Sequence, residues 1–150
     1  MSKKQKVIPE TSILDFKDMS NKQLRDWCKN HYENYIGSTV KNDNIGIVIE
    51  FKRRGRKKTS HGSYMSKKKA SVVKILKDVL QCAVYSNWGD RKATDPEDVI
   101  GYLNFKCKVR VDGVVSHFVL NVQLCSVNNG RYCFHYSLDE CRFEIKNELD

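Results

Sequence analysis

The feature that most constrains the fold is an alternating run of residues that ends at the dipeptide Asp112-Gly113. From Leu103 to Val111 the odd-numbered residues are apolar and the even-numbered residues are polar or basic, which is typical of a strand with one buried face. Asp-Gly favours a two-residue turn of the primed type, so an antiparallel hairpin follows. The predicted cross-strand pairs are Val111 with Val114, Cys107 with Phe118, Phe105 with Leu120 and Lys108 with His117.

A second hairpin is predicted around Asn129-Gly130, and two registers fit the sequence. A two-residue turn puts Leu124 opposite His135, whereas a three-residue loop that ends at Gly130 puts Leu124 opposite Phe134. The second register is favoured because it keeps an apolar pair on the core side. It also pairs Val122 with Tyr136 and sends His135 to the face that carries His117.

Two helices are predicted before these hairpins. The first begins with a capping box at Ser20–Gln23 and ends at Gly37. Its apolar and aromatic stripe consists of Leu24, Trp27, Cys28, His31, Tyr32 and Tyr35. His31 fits either a histidine packed at the edge of the core or a catalytic group. The second helix begins at Ser66, and its buried stripe consists of Ala70, Val73, Leu76, Val79, Leu80 and Ala83.

The stretch from Ile45 to Lys52 alternates like a strand, with Glu50 on the face away from Ile49 and Phe51. Glu50 fits a solvated carboxylate paired with a lysine, or a general base. Residues 86–98 are rich in turn formers and predict an ordered loop. Together these elements predict an α+β fold, an antiparallel sheet of about four strands with two main helices on one face. Residues 1–10 are expected to be a flexible basic tail, and residues 11–150 one domain.

The charge of the chain is concentrated in one segment. The formal net charge is +9, and residues 51–69 contain nine basic side chains and no acidic one. Such a window is typical of a surface that binds a polyanion. Its candidate phosphate ligands are Lys52, Arg53, Arg54, Arg56, Lys57, Lys58, Ser60, Lys67, Lys68 and Lys69. Lys67–Lys69 stand in the first turn of the second helix, where cations oppose the helix dipole.

The six cysteines include no CxxC pair, so reduced, mostly buried thiols are expected. A zinc site using Cys125, Cys133, Cys141 and His135 is an alternative, although these spacings match no compact zinc knuckle. We therefore expect no cofactor. The sequence contains no apolar run of membrane-spanning length and no secretion signal at its start, which indicates a cytoplasmic protein without membrane contact.

One predicted sheet face and the basic window together carry the candidate chemistry. Metal-independent RNA cleavage needs a base for the ribose 2′-OH, an acid for the leaving 5′-oxygen and cations for the phosphate. In the favoured scheme His61 and His117 share the base and acid roles, and Tyr136 or His135 positions a base or the attacked group. Lys106, Lys108 and Arg110 of the first hairpin add cations on the same face as His117. For each residue alone, a solvated polar face is the competing interpretation.

The order of these segments resembles a known family. Strand IVIEF, turn RKKTSHG, helix VVKILKDVLQCAV, hairpin YLNFKCKVRVDGVVSHFVLNVQL and strand GRYCFHYSL resemble large polyvalent protein-associated domain 3 over about residues 45–138. The resemblance implies the barnase–EndoU–colicin–RelE-like fold and a ribonuclease or toxin-like effector of phages or mobile elements. It leaves the first helix as an additional element.

These observations favour an RNA-binding protein, with metal-independent cleavage to a 2′,3′-cyclic phosphate. Two alternatives stay open: a module that binds nucleic acid without cleavage, and an interaction domain whose basic loop binds an acidic protein partner such as an immunity protein. The salt dependence of binding distinguishes nucleic acid from a protein partner. Binding to nucleic acid falls steeply as ionic strength rises, whereas a protein partner held by an apolar patch should stay bound.

Overall fold

The computed structural model describes residues 4–53, 66–127 and 131–144 of the chain. Its helices are α1 (Asn21–Tyr32), α2 (Lys67–Lys74) and α3 (Leu76–Cys82), with a short 3-10 turn at Leu14–Phe16. Its strands are β1 (Glu10–Thr11), β2 (Thr39–Lys41), β3 (Val48–Glu50), β4 (Val84–Asp90), β5 (Val99–Val111), β6 (Val114–Val127) and β7 (Arg131–Glu144). The α+β class predicted from the sequence is confirmed.

All seven of these strands belong to one sheet. Its order is β1-β5-β6-β7-β3-β2, and β4 pairs with β5 on the same edge as β1. The long strands β5, β6 and β7 and the edge strand β4 run antiparallel to their neighbours. β3, in contrast, runs parallel to β7, and β1 runs parallel to β5. The sheet is therefore mixed, which corrects the expectation of an antiparallel arrangement for the strand around Ile49.

Both hairpins have the register that the sequence predicts. In the first, Val111 pairs with Val114 and Lys108 with His117, and the turn residues Asp112 and Gly113 have positive φ angles of 49° and 83°. These angles agree with a primed turn. In the second hairpin the pairs are Leu124 with Phe134, Val122 with Tyr136 and Gln123 with His135. The three-residue connection is thus confirmed.

The predicted helix starts are also confirmed. The Ser20 side chain accepts a hydrogen bond from the Gln23 backbone while the Gln23 side chain accepts one from the Ser20 backbone, which completes the capping box. The Ser66 hydroxyl accepts a hydrogen bond from the Lys69 backbone and caps α2. The second predicted helix is divided at Ile75, whose φ of −119° and ψ of 32° are not helical. Its apolar stripe nevertheless continues through both parts.

The helices pack on one face of the sheet, which we call the core face. Phe105, Val109, Phe118 and Leu120 of the hairpin form one buried cluster with Leu76, Val79 and Leu80 of α3 and with Ile49 and Phe51. A smaller cluster joins α1 to α2 and comprises Phe16, Leu24, Cys28, Ala70 and Val73. Burial of this much apolar surface supplies the main driving force for folding.

The prediction of a loop at residues 86–98 is wrong for the first half of that range. Ser86–Asp90 belong to β4, which pairs with residues 101–106 of β5 as an edge strand. The indole of Trp88 lies over the backbone of Gly101, where a Cβ atom would stand 2.0 Å from the ring. This cross-strand contact stabilises a segment whose own residues favour turns.

Part of the N-terminal segment, predicted to be a flexible tail, contacts the sheet. The Gln5 side chain donates a hydrogen bond to the Lys108 carbonyl (2.8 Å) and accepts one from the Lys108 amide (2.7 Å). Further along, the Arg110 amide donates to the Pro9 carbonyl at 2.9 Å. These bonds satisfy the edge of β5 beyond the end of β4.

Candidate nucleic-acid interface

Three cations project from alternate residues of β5 on the sheet face opposite the helices, which we call the far face. Lys106 is exposed, and Lys108 and Arg110 are partly buried. In the described part of the chain the helices pack on the core face, so none covers these residues. Arg110 also forms an exposed salt bridge with Glu10 (3.3 Å), which is worth little in water. This region is the cationic half of the far face.

His117 stands beside Lys108 in this cationic half. The register makes Lys108 its cross-strand partner on β5 and Glu144 its partner on β7, so one row across the sheet reads lysine, histidine, glutamate. Directly paired residues lie about 5 Å apart on the same face. The His117 ring is partly buried and its Nε2 atom is enclosed. In this conformation Nδ1 is the ring nitrogen that is not among the enclosed atoms.

The register separates two of the candidate histidines, His117 and His135. His135 pairs with Gln123, whereas His117 lies six residues earlier on β6. At about 3.4 Å per residue this separation is about 20 Å, too far for both imidazoles to act on one phosphate. Tyr136 pairs with Val122, so its backbone position belongs to the core face and not to the face of His135. The His135 position is instead adjacent to Glu50 on β3.

The other half of the far face is covered. Val99, Tyr102 and Cys125 form a small buried cluster, and Gln123 beside them is 1% exposed. The Arg91 side chain donates hydrogen bonds to the carbonyls of Val99, Asp95 and Pro96 and thereby holds loop 91–98 against the start of β5. The alternating pattern of the sequence predicted a uniformly polar face. Among the described residues of this face, the buried side chains are those around Tyr102 and Gln123, whereas Lys106 of the cationic half is exposed.

The described residues of the basic window, 51–53 and 66–69, lie on different sides of the sheet. Lys52 and Arg53 are exposed at the end of β3, and Lys52 lies 3.7 Å from the far-face carboxylate of Glu50. This pair confirms the interpretation of Glu50 as a carboxylate paired with a lysine. Lys67 and Lys68, in contrast, begin α2 in the helical layer. The Lys67 ammonium donates a hydrogen bond to the Lys17 carbonyl at 2.7 Å.

Lys69 is a correction to the predicted phosphate ligands. Its side chain is 6% exposed and lies near the buried thiol of Cys28, so it does not belong to the basic surface. Burial raises the pKa of Cys28 to about 12, and the nearby positive charge of Lys69 opposes that rise. The remaining candidates of the window lie outside the described residues: Arg54, Arg56, Lys57, Lys58, Ser60 and His61.

His31 is a packed residue of the helical layer. Its ring stacks on Trp27 with centroids 4.6 Å apart, and its Nε2 atom lies 3.2 Å from the Tyr35 hydroxyl. Burial lowers the pKa of His31 below its ordinary value. Of the two interpretations open at the sequence level, the geometry favours the histidine at the edge of the core.

The four residues of the alternative zinc site do not lie together, because the β6–β7 register places Cys141 far from the other three. Cys125 pairs with Cys133 and Gln123 pairs with His135 at one end of the β6–β7 hairpin. Cys141 precedes Arg142, which pairs with Val119, six residues from Cys125 along β6 and therefore about 20 Å away. Among the described side chains no group of three or more His, Cys, Asp and Glu residues could hold a metal ion.

The sequence did not predict the strand positions of Arg142 and Glu144. β7 continues to Glu144 beyond an irregularity between the pairs at Val119 and Asn121, and this continuation sets Arg142 beside Val119 and Glu144 beside His117. The strand predicted from the sequence ends at Leu138, before the charged residues Asp139, Glu140 and Arg142. The apolar pair of Phe143 with Phe118 was the available signal for the extension.

Comparisons with known proteins identify the family of this chain. The family model of large polyvalent protein-associated domain 3 matches residues 19–136, and the chain therefore belongs to that family. The match begins before α1, so this helix is part of the family domain and not an addition to it. No curated protein and no solved structure matches the chain. In the described residues no helix is long and apolar enough to cross a membrane.

Proposed function

We propose that this member of large polyvalent protein-associated domain 3 binds RNA across the cationic half of its far face. The observation that carries the proposal is the spacing of Lys106, Lys108 and Arg110 on alternate residues of one strand. Alternate residues lie about 7 Å apart along a strand, which is close to the distance between successive phosphates of an extended single strand. Asn104 and Asn121 beside them supply neutral hydrogen-bonding groups.

Cleavage without a metal is the second step of this proposal. His117 is the proton-transfer group, Lys108 stabilises the negative charge of the phosphate, and the Glu144 position is the register partner of His117 on β7. The 2′-oxygen attacks the phosphorus, the bond to the 5′-oxygen breaks, and the products are a 2′,3′-cyclic phosphate and a free 5′-hydroxyl. The nuclease fold affiliation implied by the family resemblance fits this scheme, as does a toxin or effector of a phage or mobile element acting in the cytoplasm.

RNA binding without cleavage is the second candidate function. The separation of about 20 Å between His117 and His135 favours it, because an acid and a base must reach the same phosphodiester. His61, which lies outside the described residues, is the remaining candidate for the missing imidazole. An acidic protein partner at the same cations is a third outcome that the binding experiment separates.

The binding test compares two exposed lysines that differ in their position on the fold. Lys106 lies on the far face and Lys22 lies on α1 in the helical layer. We expect Lys106→Ala to weaken the binding of a labelled single-stranded RNA about five- to tenfold and to lower the salt dependence by about 0.7 in the log–log slope. Lys22→Ala should change neither quantity. Equal effects of the two variants, or RNA binding that persists between about 50 and 200 mM salt, would contradict the proposal.

The cleavage test uses an RNA pool in excess EDTA. We expect products with 2′,3′-cyclic phosphate ends from the wild-type protein and a loss of at least about a hundredfold in rate for His117→Gln. His31→Gln is the matched control, since it removes an imidazole from the helical layer. RNA that binds but is not cut leaves the binding function in place and refutes the enzymatic step.

A further inference from the structure

Two cysteine thiols meet at the junction between α3 and β5. The Sγ atoms of Cys82, at the end of α3, and Cys107, in the middle of β5, lie 3.8 Å apart. Two sulfur atoms at this distance are in contact without a bond, since a disulfide requires about 2.05 Å. Cys107 is 2% exposed, whereas Cys82 is only partly buried. The two thiols therefore differ in their access to solvent.

An open cavity reaches the more exposed thiol. Its volume is about 310 Å³, and Cys82 lies in its wall together with Val7, Pro9, Glu10, Asp43 and Asp78. A small oxidant therefore has a route to Cys82 but not to Cys107, which lies behind it in the core. The cavity lies on the side of β5 that the N-terminal segment borders.

The surroundings of the two sulfurs assign them different chemical roles. Hydrogen bonding from the Cys107 thiol lowers the pKa of Cys82, and a contact of the Gln5 amide with Cys82 Sγ at 3.7 Å acts in the same direction. The same interaction with Cys82, together with burial, raises the pKa of Cys107. Cys82 is thus the thiol that ionises first, and a thiolate is the form that reacts with oxidants.

We propose that Cys82 and Cys107 are a peroxide-oxidisable dithiol, in which Cys82 reacts first and Cys107 then closes a disulfide. The Cys82 thiolate attacks one oxygen of hydrogen peroxide, the O–O bond breaks, and the released hydroxide takes up a proton to give water and a Cys82 sulfenic acid. The Cys107 sulfur then attacks the Cys82 sulfur. The S–S bond forms, the S–OH bond breaks, and the second hydroxide leaves as water with the Cys107 proton. Two thiols are oxidised and one peroxide is reduced to two waters.

The proposed disulfide between Cys82 and Cys107 would link the helical layer covalently to the sheet. It joins the C-terminal end of α3 to β5 one residue before Lys108, and it closes a loop with a sequence separation of 25 residues. A loop of this length constrains the unfolded chain, so the oxidised protein should melt about 5–10 °C higher than the reduced protein. A dithiol reductant should restore the original melting temperature.

Peptide mapping tests the proposal directly. The full-length protein is treated with hydrogen peroxide, its remaining thiols are alkylated, and it is digested without reduction. We expect a peptide that links Cys82 to Cys107 and the loss of two of the six alkylatable thiols. Cys107→Ala should retain a sulfenic acid at Cys82 that dimedone captures. The control Cys28→Ala removes a separate buried thiol and should leave the crosslink unchanged.

Three results would overturn the proposal. The first is no loss of thiols at a peroxide dose that oxidises free cysteine. The second is a Cys82 that proceeds to sulfinic acid in the wild-type protein without forming the crosslink. The third is a crosslink between Cys125 and Cys133, which are register partners in β6 and β7, in place of the expected one. None of these results depends on whether the protein binds RNA.

Discussion

Asn42 offers the sharpest test of how the fold is held together. Its side chain is fully buried between the β2–β3 connection and the end of α3. The amide nitrogen donates hydrogen bonds to the carbonyls of Leu80 (2.7 Å) and Ala83 (2.8 Å), and the amide oxygen accepts from the backbone of Asn44 (3.1 Å) and Ile45 (3.0 Å). The substitution Asn42→Asp keeps the shape and the acceptor but replaces the two N–H donors by one O–H donor when the carboxyl is protonated, and by none when it is ionised.

The size of the stability loss in Asn42→Asp can be estimated from these hydrogen bonds. An ionised carboxylate would face two carbonyl oxygens in a buried site, so Asp at residue 42 must stay protonated at pH 7. Moving its pKa from about 4 to above 7 costs about 4 kcal/mol, and the one carbonyl left without a donor costs about 1–3 kcal/mol more. We expect Asn42→Asp to lower the free energy of unfolding by about 5–7 kcal/mol. That loss is comparable to the total stability of many domains.

The pH dependence gives the prediction a definite sign. The folded-state pKa of the new carboxyl lies above its unfolded value, so the loss of stability grows as pH rises from about 4 to 7 and shrinks to about 1–3 kcal/mol below pH 4. Asn44→Asp is the matched control, because its side-chain oxygen only accepts a hydrogen bond, from the Tyr85 amide at 2.9 Å. Urea unfolding followed by circular dichroism measures both variants. Equal stabilities at pH 7, or a loss independent of pH, would refute the reasoning.

Three further predictions concern other parts of the fold. Ser20→Ala should destabilise the protein by about 1 kcal/mol in urea unfolding, because it removes the acceptor of the capping box. Gly101→Ala should displace the half-exposed Trp88 ring into water, which would shift its fluorescence emission to the red and cost about 1–2 kcal/mol; an unchanged spectrum would show that the ring does not cover this residue. Because burial lowers the pKa of His31, the folded state binds fewer protons there, so stability should fall as pH drops through about 6.5 and should fall less in His31→Gln.

The two hairpins were predictable because local sequence determines their register. Asp112-Gly113 specifies the turn type, and the apolar residues of β5 and β6 then agree on one face. The same reasoning selected Phe134 as the partner of Leu124. The capping residues Ser20 and Ser66 are likewise local signals, and both begin their helices as predicted.

The features that the sequence did not predict depend on distant contacts. β4 consists of residues that favour turns, and it is a strand because β5 offers an unpaired edge and Gly101 a place for Trp88. The parallel pairing of β3 with β7 brings together residues that are 85 apart in the sequence, such as Ile49 and Phe134. Alternation of apolar residues indicates that a strand has a buried face but not which neighbour it takes.

The candidate site was predicted in part for the same reason. Lys106, Lys108, Arg110 and His117 share one face because the first hairpin is local. The separation of His117 from His135 follows from the register of β7 on β6, which pairs His135 with Gln123, six residues from His117. The burial of Lys69 depends on the contact between α1 and α2, and no local pattern reports that contact.

The most direct test of the central claim is to map where RNA lies on the protein. Single-stranded RNA carrying 4-thiouridine is crosslinked to the wild-type chain at low salt, and the attached peptides are identified by mass spectrometry. The account predicts crosslinks in residues 104–110 of β5 and 115–121 of β6, which are lost as salt is raised. Crosslinks confined to α1, α2 or α3, or none in β5 and β6 under conditions where RNA binds, would contradict it.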